Sequence, residues 1–303
     1  MELHNIRAVQ NDYRMGEIYL PFGSFKAALE DGVKHGYAVG QFNINNLEWT
    51  QAIVEVANEE NSPVILGASE GAIKYMGIEY VGAIAKAAAD MSKVPIILHL
   101  DHGSNYEMIL KCIRYGFTSV MIDGSHHPLE DNIALTRKVV EACHPLGIHV
   151  EGELGRIGGV EDDLTVDVRE ATLVRPDEAE RFVQETGVDA FAPAIGSQHG
   201  HYKGKPNLAF DRLEQVHGLT GIPLVLHGGT GIPDEDIRHA IRLGVSKINV
   251  NTENQSVFTD TVREIFDRDK EVFDPRKYLG PARSAIKDAV RAKIRLFGSA
   301  GRG

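Results

Sequence analysis

Eight short apolar, β-branched runs recur along the chain, with amphipathic stretches of ten or more residues between them. The runs are YAVGQFNI (37–44), PVILGA (63–68), PIILHLD (95–101), SVMIDG (119–124), HVEGELG (149–155), AFAPAIG (190–196), PLVLHG (223–228) and KINVNT (247–252). Most are almost continuously apolar, the pattern of strands covered on both faces in a parallel sheet. Between them, LEWTQAIVEVANEEN, YEMILKCIRYG, LEDNIALTRKVVEACHPLG, PDEAERFVQETG, LAFDRLEQVHGLTG and PDEDIRHAIRLG carry apolar residues at three- and four-residue spacing. Several of these open on Pro or Asp and close at Gly, which are helix start and stop signals. The alternation predicts an α/β fold, a (β/α)8 TIM barrel. A doubly wound open sheet has the same rhythm, since a count of strands does not establish closure. SFKAALEDG predicts a short helix covering the barrel bottom. SVFTDTVREIFDRD and ARSAIKDAVRAKIRLFG predict two amphipathic helices, the second packing on the barrel or on another subunit. With no linker in sight, residues 1–303 read as one domain: a core barrel over about 32–255 and a helical extension over 256–303.

Composition narrows the function classes. The net charge is −11 and no run of five Lys or Arg occurs, which argues against a nucleic-acid partner. An acidic protein with an anionic substrate then needs isolated basic residues at its site. Cys112 and Cys143 lie in helical patterns without CxxC spacing and read as buried thiols in a reducing cytosol. The first twenty residues lack the apolar core of a signal peptide, and no 18-residue apolar stretch exists, so a cytoplasmic protein with no membrane span is expected.

Four residues of metal-ligand type sit where runs end: His102 in LHLDHG, Glu153 in VEGELG, His199 in GSQHGHYKG and His227 in LVLHGG. In a closed barrel the C-terminal strand ends share one mouth, where active sites lie. His99, Asp101, Asp123, Glu151, Asn249 and Asn251 fall at that end as well, while Tyr37, Pro63, Pro95, Ser119 and Pro223 at the other end carry nothing reactive. Imidazoles with a carboxylate suit zinc and also admit cobalt or iron. His126, His127 and His201 read as loop residues without a direct role, and a solvated loop carboxylate is the alternative reading of Glu151.

A phosphate signal accompanies the metal signal. HGGTGIP follows the seventh run and NVNTEN ends the eighth, the two places where barrels bind phosphate through backbone N–H groups. Thr230 and Thr252 add hydroxyls, and Lys203 in HGHYKGKP supplies charge. Metal and phosphate together, with Asp101 and Glu161 nearby, point to carbonyl chemistry on a sugar phosphate: a divalent cation polarises a ketone and stabilises an enediolate, and a base takes the carbon-bound proton. A Schiff-base aldolase needs a lysine at a C-terminal strand end; Lys247 opens the eighth run at the wrong end and Lys203 lies in a loop. A non-enzymatic metal-binding scaffold would leave the convergent acid and base without a role.

From about Gly36 onward the chain resembles class II, metal-dependent fructose-1,6-bisphosphate aldolases, especially the shorter bacterial form. The resemblance is carried by GQFNINNLE, SPVILGASEGA, LHLDHGS, FTSVMIDGSHHP, EGELGRIGGVEDD, GSQHGHYKGKPNL, LVLHGGTGIP, KINVNTENQ and DPRKYLGPAR, in that order. It implies that His102, His199 and His227 hold the catalytic zinc, with Glu153 and Asp123 at an alternative or second metal position. It implies Asp101 as the acid/base at the C4 hydroxyl, and Glu161 as the base for the dihydroxyacetone phosphate carbon. Gly200, Lys203, Gly228, Gly229, Thr230, Asn249, Asn251 and Thr252 match the ketone phosphate site. Ser69 and Arg276 match contacts to the aldehyde half, the arginine reaching in from a neighbouring subunit, so that a homodimer or homotetramer is implied. A monovalent cation (Na+ or K+) near the phosphate is implied too. Many members have Asp where this chain has Asn251, which removes a negative charge from that cation site. The implied substrate is fructose 1,6-bisphosphate, with tagatose 1,6-bisphosphate as the alternative; NVNTEN leans toward the fructose enzyme. Residues 1–20 have no counterpart in the family pattern.

Overall fold

The eight runs become the eight strands of a closed parallel barrel: β1 (Val39–Asn43), β2 (Val64–Ser69), β3 (Ile96–Gly103), β4 (Ser119–Ile122), β5 (His149–Leu154), β6 (Ala190–Pro193), β7 (Leu224–Leu226) and β8 (Val245–Val250). Each pairs with the next in sequence, and β1 pairs β8 with Val39 opposite Lys247 and Gln41 opposite Asn249. Closure excludes the open doubly wound sheet. The computed structural model describes residues 22–161, 164–166, 172–202 and 204–303; the N-terminal extension 1–20 lies outside them. The helices are α1 (Phe25–His35), α2 (Leu47–Glu59), α3 (Glu70–Met76), α4 (Ile78–Met91), α5 (Tyr106–Arg114), α6 (Leu129–Cys143), α7 (Pro176–Thr186), α8 (Phe210–Thr220), α9 (Asp234–Arg242), α10 (Thr252–Arg268) and α11 (Arg276–Phe297).

The barrel has two cores. Outward residues such as Phe42, Leu66, Leu98, Val150 and Ile248 pack against the helices. Inside, Val39, Ile65, Ile97 and Val225 form a separate cluster with Phe25, Ala28 and Leu29 of α1, which plugs the bottom as the sequence predicts. Side chains two residues apart share a strand face, so the inner face can be followed upward. Above the apolar layer come Gln41, Gly67, His99 and His227, and above those Asn43, Ser69 and Asp101. The interior thus turns from apolar to polar as it approaches the mouth.

α1 is capped by Ser24, whose hydroxyl accepts from Ala27 N at 3.3 Å, and it ends at Gly36 with φ 70°. Phe25 stacks flat on His99, ring centroids 5.1 Å apart, and joins the bottom plug to the first polar layer. Cys112 and Cys143 are both free and buried, and burial pushes each thiol up to about 12, so neither is a reactive thiolate at neutral pH.

Two departures from the sequence expectation are instructive. The β2–β3 connection holds two helices, α3 and α4, separated by Gly77 with φ 86°; its alanine-rich face carries too weak an apolar stripe to be read as either. Short strands at Gly158–Glu161, Leu164–Val166 and Gln198–His199 form a small sheet from segments read as loops. α11 packs on α2, α9 and β1, filling the eighth helical place around the barrel, with Lys287 on Glu59 at 2.7 Å and Arg295 on Glu60 at 2.8 Å. α10 starts at Thr252, directly after β8, and Asn254 is its one buried residue. Among the described residues no helix is long and apolar enough to cross a membrane.

Phe25→Ala removes a fully buried ring from the plug and should cost about 3–5 kcal/mol of unfolding free energy. A denaturant midpoint unchanged from wild type would contradict the load assigned to α1.

Candidate active site

Asp101 and His102 are adjacent in β3, and an ideal strand would send them to opposite faces. The β3–β4 register shows how both reach the mouth: Leu100 faces Val120, but Gly103 faces Ile122, so β3 inserts one extra residue. His102 takes up the bulge in the left-handed conformation at φ 51°, which costs an imidazole-bearing residue about 1–3 kcal/mol. Bent this way, its ring meets the other two predicted ligands. The centroids of His102 and His227 lie 4.7 Å apart, those of His102 and His199 5.0 Å, and those of His199 and His227 5.7 Å. One ligand atom from each histidine lies within 4.8 Å of the others.

Each of the two strand-end imidazoles is oriented by a carboxylate on its far side. His102 Nδ1 lies 3.0 Å from Asp123 Oδ2, and His227 Nε2 lies 2.9 Å from Glu151 Oε1. Burial alone would raise the Asp123 carboxyl, but the His102 and Ser125 hydrogen bonds hold it well below the usual range, so it accepts and His102 Nδ1–H donates. Glu151 is buried yet also held low, by Lys247 and His227, so His227 Nε2–H donates to it. His227 itself is kept neutral by burial. The remaining nitrogens, His102 Nε2 and His227 Nδ1, then face each other as lone pairs at 3.0 Å. A divalent cation fits that arrangement. Glu153 points the same way: burial, then the neighbouring Asp123 charge, raises its carboxyl well above the ordinary value. Its Oε2 is buried without a hydrogen-bond partner among the described residues. His102, Asp123 and Glu153 form a second group with ligand atoms within 4.8 Å of one another.

Asp101 is fully buried and accepts from two amides, Asn43 Nδ2 at 2.9 Å and Asn249 Nδ2 at 3.2 Å. Beneath it, Lys247 Nζ donates to Asn249 Oδ1 at 2.8 Å and pairs with Glu151 Oε2 at 2.9 Å. Glu151 lies in β5, where the sequence placed it, and is completely buried, which removes the alternative of a solvated loop carboxylate. One expectation is corrected: Lys247 does not open β8 but is its third residue, pointing into the barrel. Its amine is sealed from the mouth and engaged by Glu151, which excludes it as a Schiff-base nucleophile in this state. His99, pushed down to about 3 by burial and by Lys247, sits neutral beside Glu151 with Nδ1 on Ser119 Oγ at 2.9 Å.

The phosphate-type residues form one surface at the ends of β7 and β8. Gly229 N donates to Asn249 O at 3.1 Å, and Glu253 N donates to Thr230 Oγ1 at 3.3 Å, tying the two loops together. Gly228 has φ 65°, and a Cβ there would stand 2.2 Å from Gln198 O, so only glycine lets this loop approach the His199 segment. Asn251 and Thr252 stand at the N-terminal end of α10, where backbone N–H groups attract an anion. Gly200, at φ 82°, follows His199 directly. Ser69 adjoins Asp101 in register and caps α3, accepting from Ala72 N at 3.1 Å.

Arg276 is not brought to this cluster: it is 89% exposed and held by Asp274 at 2.9 Å. Glu161 ends the small-sheet strand that pairs with Gln198–His199, so its backbone is near a candidate ligand; its side chain, like Lys203, lies outside the described residues. His126 and His127 are exposed and His201 reaches Ser256, as expected of loop histidines. Sequence reasoning missed Asn43 and Tyr202. Tyr202 donates to Gly228 O at 3.2 Å and accepts from Gln198 N at 2.9 Å, fastening the His199 segment to the β7 loop. The legible signal for Asn43, Glu151 and Lys247 was their two-residue offset from Gln41, Glu153 and Asn249, which puts them on the inner face.

Comparison with known proteins agrees with this geometry. A family model described as Fructose-bisphosphate aldolase class-II matches residues 23–302. The fructose-bisphosphate aldolase of Staphylococcus aureus is 54% identical over 286 residues, 93% of this chain and 99% of the relative. That of Geobacillus stearothermophilus is 56% identical over 283 residues, 92% and 98% of the two chains. Among solved structures, the YdjI aldolase from Escherichia coli K12 superposes with a TM-score of 0.82 at 35% identity, covering 93% of this chain and 99% of that one. With the match running through barrel, mouth and C-terminal helices, the chain belongs to the class II fructose-bisphosphate aldolase family.

Proposed function

We propose that this protein reversibly cleaves fructose 1,6-bisphosphate into dihydroxyacetone phosphate and glyceraldehyde 3-phosphate, using a divalent metal. The observation that carries the reading is the convergence of three imidazoles beside an Asp101 whose carboxyl is clamped by two amides. Relatives bearing the name fructose-bisphosphate aldolase at 54% and 56% identity support the substrate.

His102, His199 and His227 are the residues to hold the metal, zinc being the choice their nitrogen donors favour, with Asp123 and Glu153 at a second position. When bound, it supplies a Lewis acid for the C2 ketone. Asp101 takes the proton from the C4 hydroxyl; as the C4 carbonyl forms, the C3–C4 bond breaks and its electron pair passes into the three-carbon fragment. Glu161 returns a proton to C3 of that fragment, and removes it in the condensing direction. The joined loops of Gly228–Thr230 and Asn249–Thr252, with Gly200 and Lys203, receive the phosphate of the ketone half. A monovalent cation (Na+ or K+) belongs beside that phosphate, where the neutral Asn251 offers an oxygen without adding charge. Ser69 and the Arg276 of a neighbouring subunit bind the aldehyde half, which makes the working form a homodimer or homotetramer. The site of action is the cytoplasm.

Exhaustive chelation should abolish cleavage in a coupled assay, and zinc, cobalt or another divalent metal should restore it. Full turnover in protein shown metal-free by elemental analysis would exclude the mechanism. Asp101→Asn should lower kcat/KM about 10²- to 10⁴-fold while the bound metal stays at the wild-type level. The same assay with fructose and tagatose 1,6-bisphosphates side by side should favour fructose; the reverse preference would assign the C4 epimer instead.

A further inference from the structure

The buried groups that the reaction scheme leaves unused are Lys247, Glu151 and His99, one layer below the mouth. All three side chains are 0% exposed. A lysine buried to that degree is rare unless paired, and replacing such a pair with apolar groups is often neutral or stabilising. What distinguishes this pair is where its two arms lead. On one arm, Lys247 Nζ meets Glu151 Oε2 at 2.9 Å, and Glu151 Oε1 meets His227 Nε2 at 2.9 Å. On the other, the same Nζ donates to Asn249 Oδ1 at 2.8 Å, and Asn249 Nδ2 donates to Asp101 Oδ1 at 3.2 Å.

We propose that Lys247 is a positioning residue that sets the metal ligand His227 and the catalytic carboxylate Asp101 at once. The inference rests on the metal-dependent reading above. Through Glu151 it fixes the His227 tautomer, proton on Nε2 and lone pair of Nδ1 toward the metal. Through Asn249 it fixes an amide. With Oδ1 drawn to Lys247, Nδ2 has to face Asp101; the flipped amide would set oxygen against the Asp101 carboxylate and N–H against the lysine. Asn249 Nδ2 also stands 3.3 Å from His227 Nδ1, an arrangement that suits only an unprotonated Nδ1. The two arms therefore require the same protonation pattern. His99 completes the layer: its Nε2 lies 3.5 Å from Glu151 Oε2, and its ring is clamped between Phe25 and Ser119.

The test is Lys247→Met, compared with wild type for zinc affinity by chelator competition and for kcat and KM at saturating zinc. Zinc affinity should fall about 10- to 100-fold, the usual effect of losing a partner behind a metal ligand. At saturating zinc, kcat should still be lower, on the order of 100-fold for a misplaced catalytic group, with KM little changed. Where the single variant does not fold, Glu151→Gln/Lys247→Met leaves no unpaired buried charge and should show both losses. A folded variant with wild-type zinc affinity overturns the Glu151 arm; one with wild-type kcat at saturating zinc overturns the Asn249 arm. A lower thermal midpoint with neither change reduces Lys247 to a structural residue and overturns both. Wild-type protein that binds no zinc would instead overturn the metal-dependent reading, so the two failures are separable.

Discussion

The extra residue that β3 inserts at His102 is the constraint on which the mouth depends. A regular strand offers one inward side chain for every two residues, and the chemistry calls for an acid/base and a ligand side by side. The left-handed bulge resolves this by turning His102 inward while Asp101 keeps its inward place. The strain is tolerable because both residues are held by neighbours: Asp101 by Asn43 and Asn249, and His102 by its hydrogen bond to Asp123. Strained backbone persists where the surroundings fix it from several sides.

A second constraint is electrostatic. Four carboxylates gather at or near the mouth, Asp101, Glu151 and Glu153 buried and Asp123 half-buried, in a chain whose net charge is already −11. Their environments separate them. Glu151 has a lysine and stays charged, Asp123 has His102 and Ser125 and stays charged, and Glu153 is driven toward the neutral acid by burial and then by the neighbouring Asp123 charge. The first two are placed to orient imidazoles through hydrogen bonds. Glu153 keeps an Oε2 without a hydrogen-bond partner among the described residues, beside the His102 and Asp123 of the proposed second metal position.

Much of this was legible in the sequence. The eight strands follow from the β-branched runs, because a strand buried on both faces needs apolar residues at nearly every position. The three histidines, Asp101 and the two phosphate loops follow from the rule that barrel chemistry gathers at the C-terminal strand ends. What stayed hidden lay one layer lower. The pairing of Glu151 with Lys247 could not be read from the two runs, because a run does not show which of its members face inward, or at what height, until a register is known. Lys247 opposite Val39 supplies that register. The small sheet was hidden for a different reason: GRIGGVE and GSQHG are rich in glycine and poor in apolar residues, so neither periodicity shows.

That small sheet separates the third histidine from the other two. His102 and His227 ride on or directly after barrel strands and are backed by the carboxylates of Asp123 and Glu151. His199 sits in a two-residue strand held by Gly159, where a Cβ would stand 2.1 Å from His199 O, and by the Tyr202 link to Gly228. Two ligands thus belong to the rigid barrel and one to the element that also carries Glu161 in its backbone. The candidate base and the loop-borne ligand share a support, and the candidate acid/base Asp101 shares its support with the barrel-borne ligands. Three histidine ligands, as proposed, would leave coordination open for the ketone, which a closed four-residue cage would not.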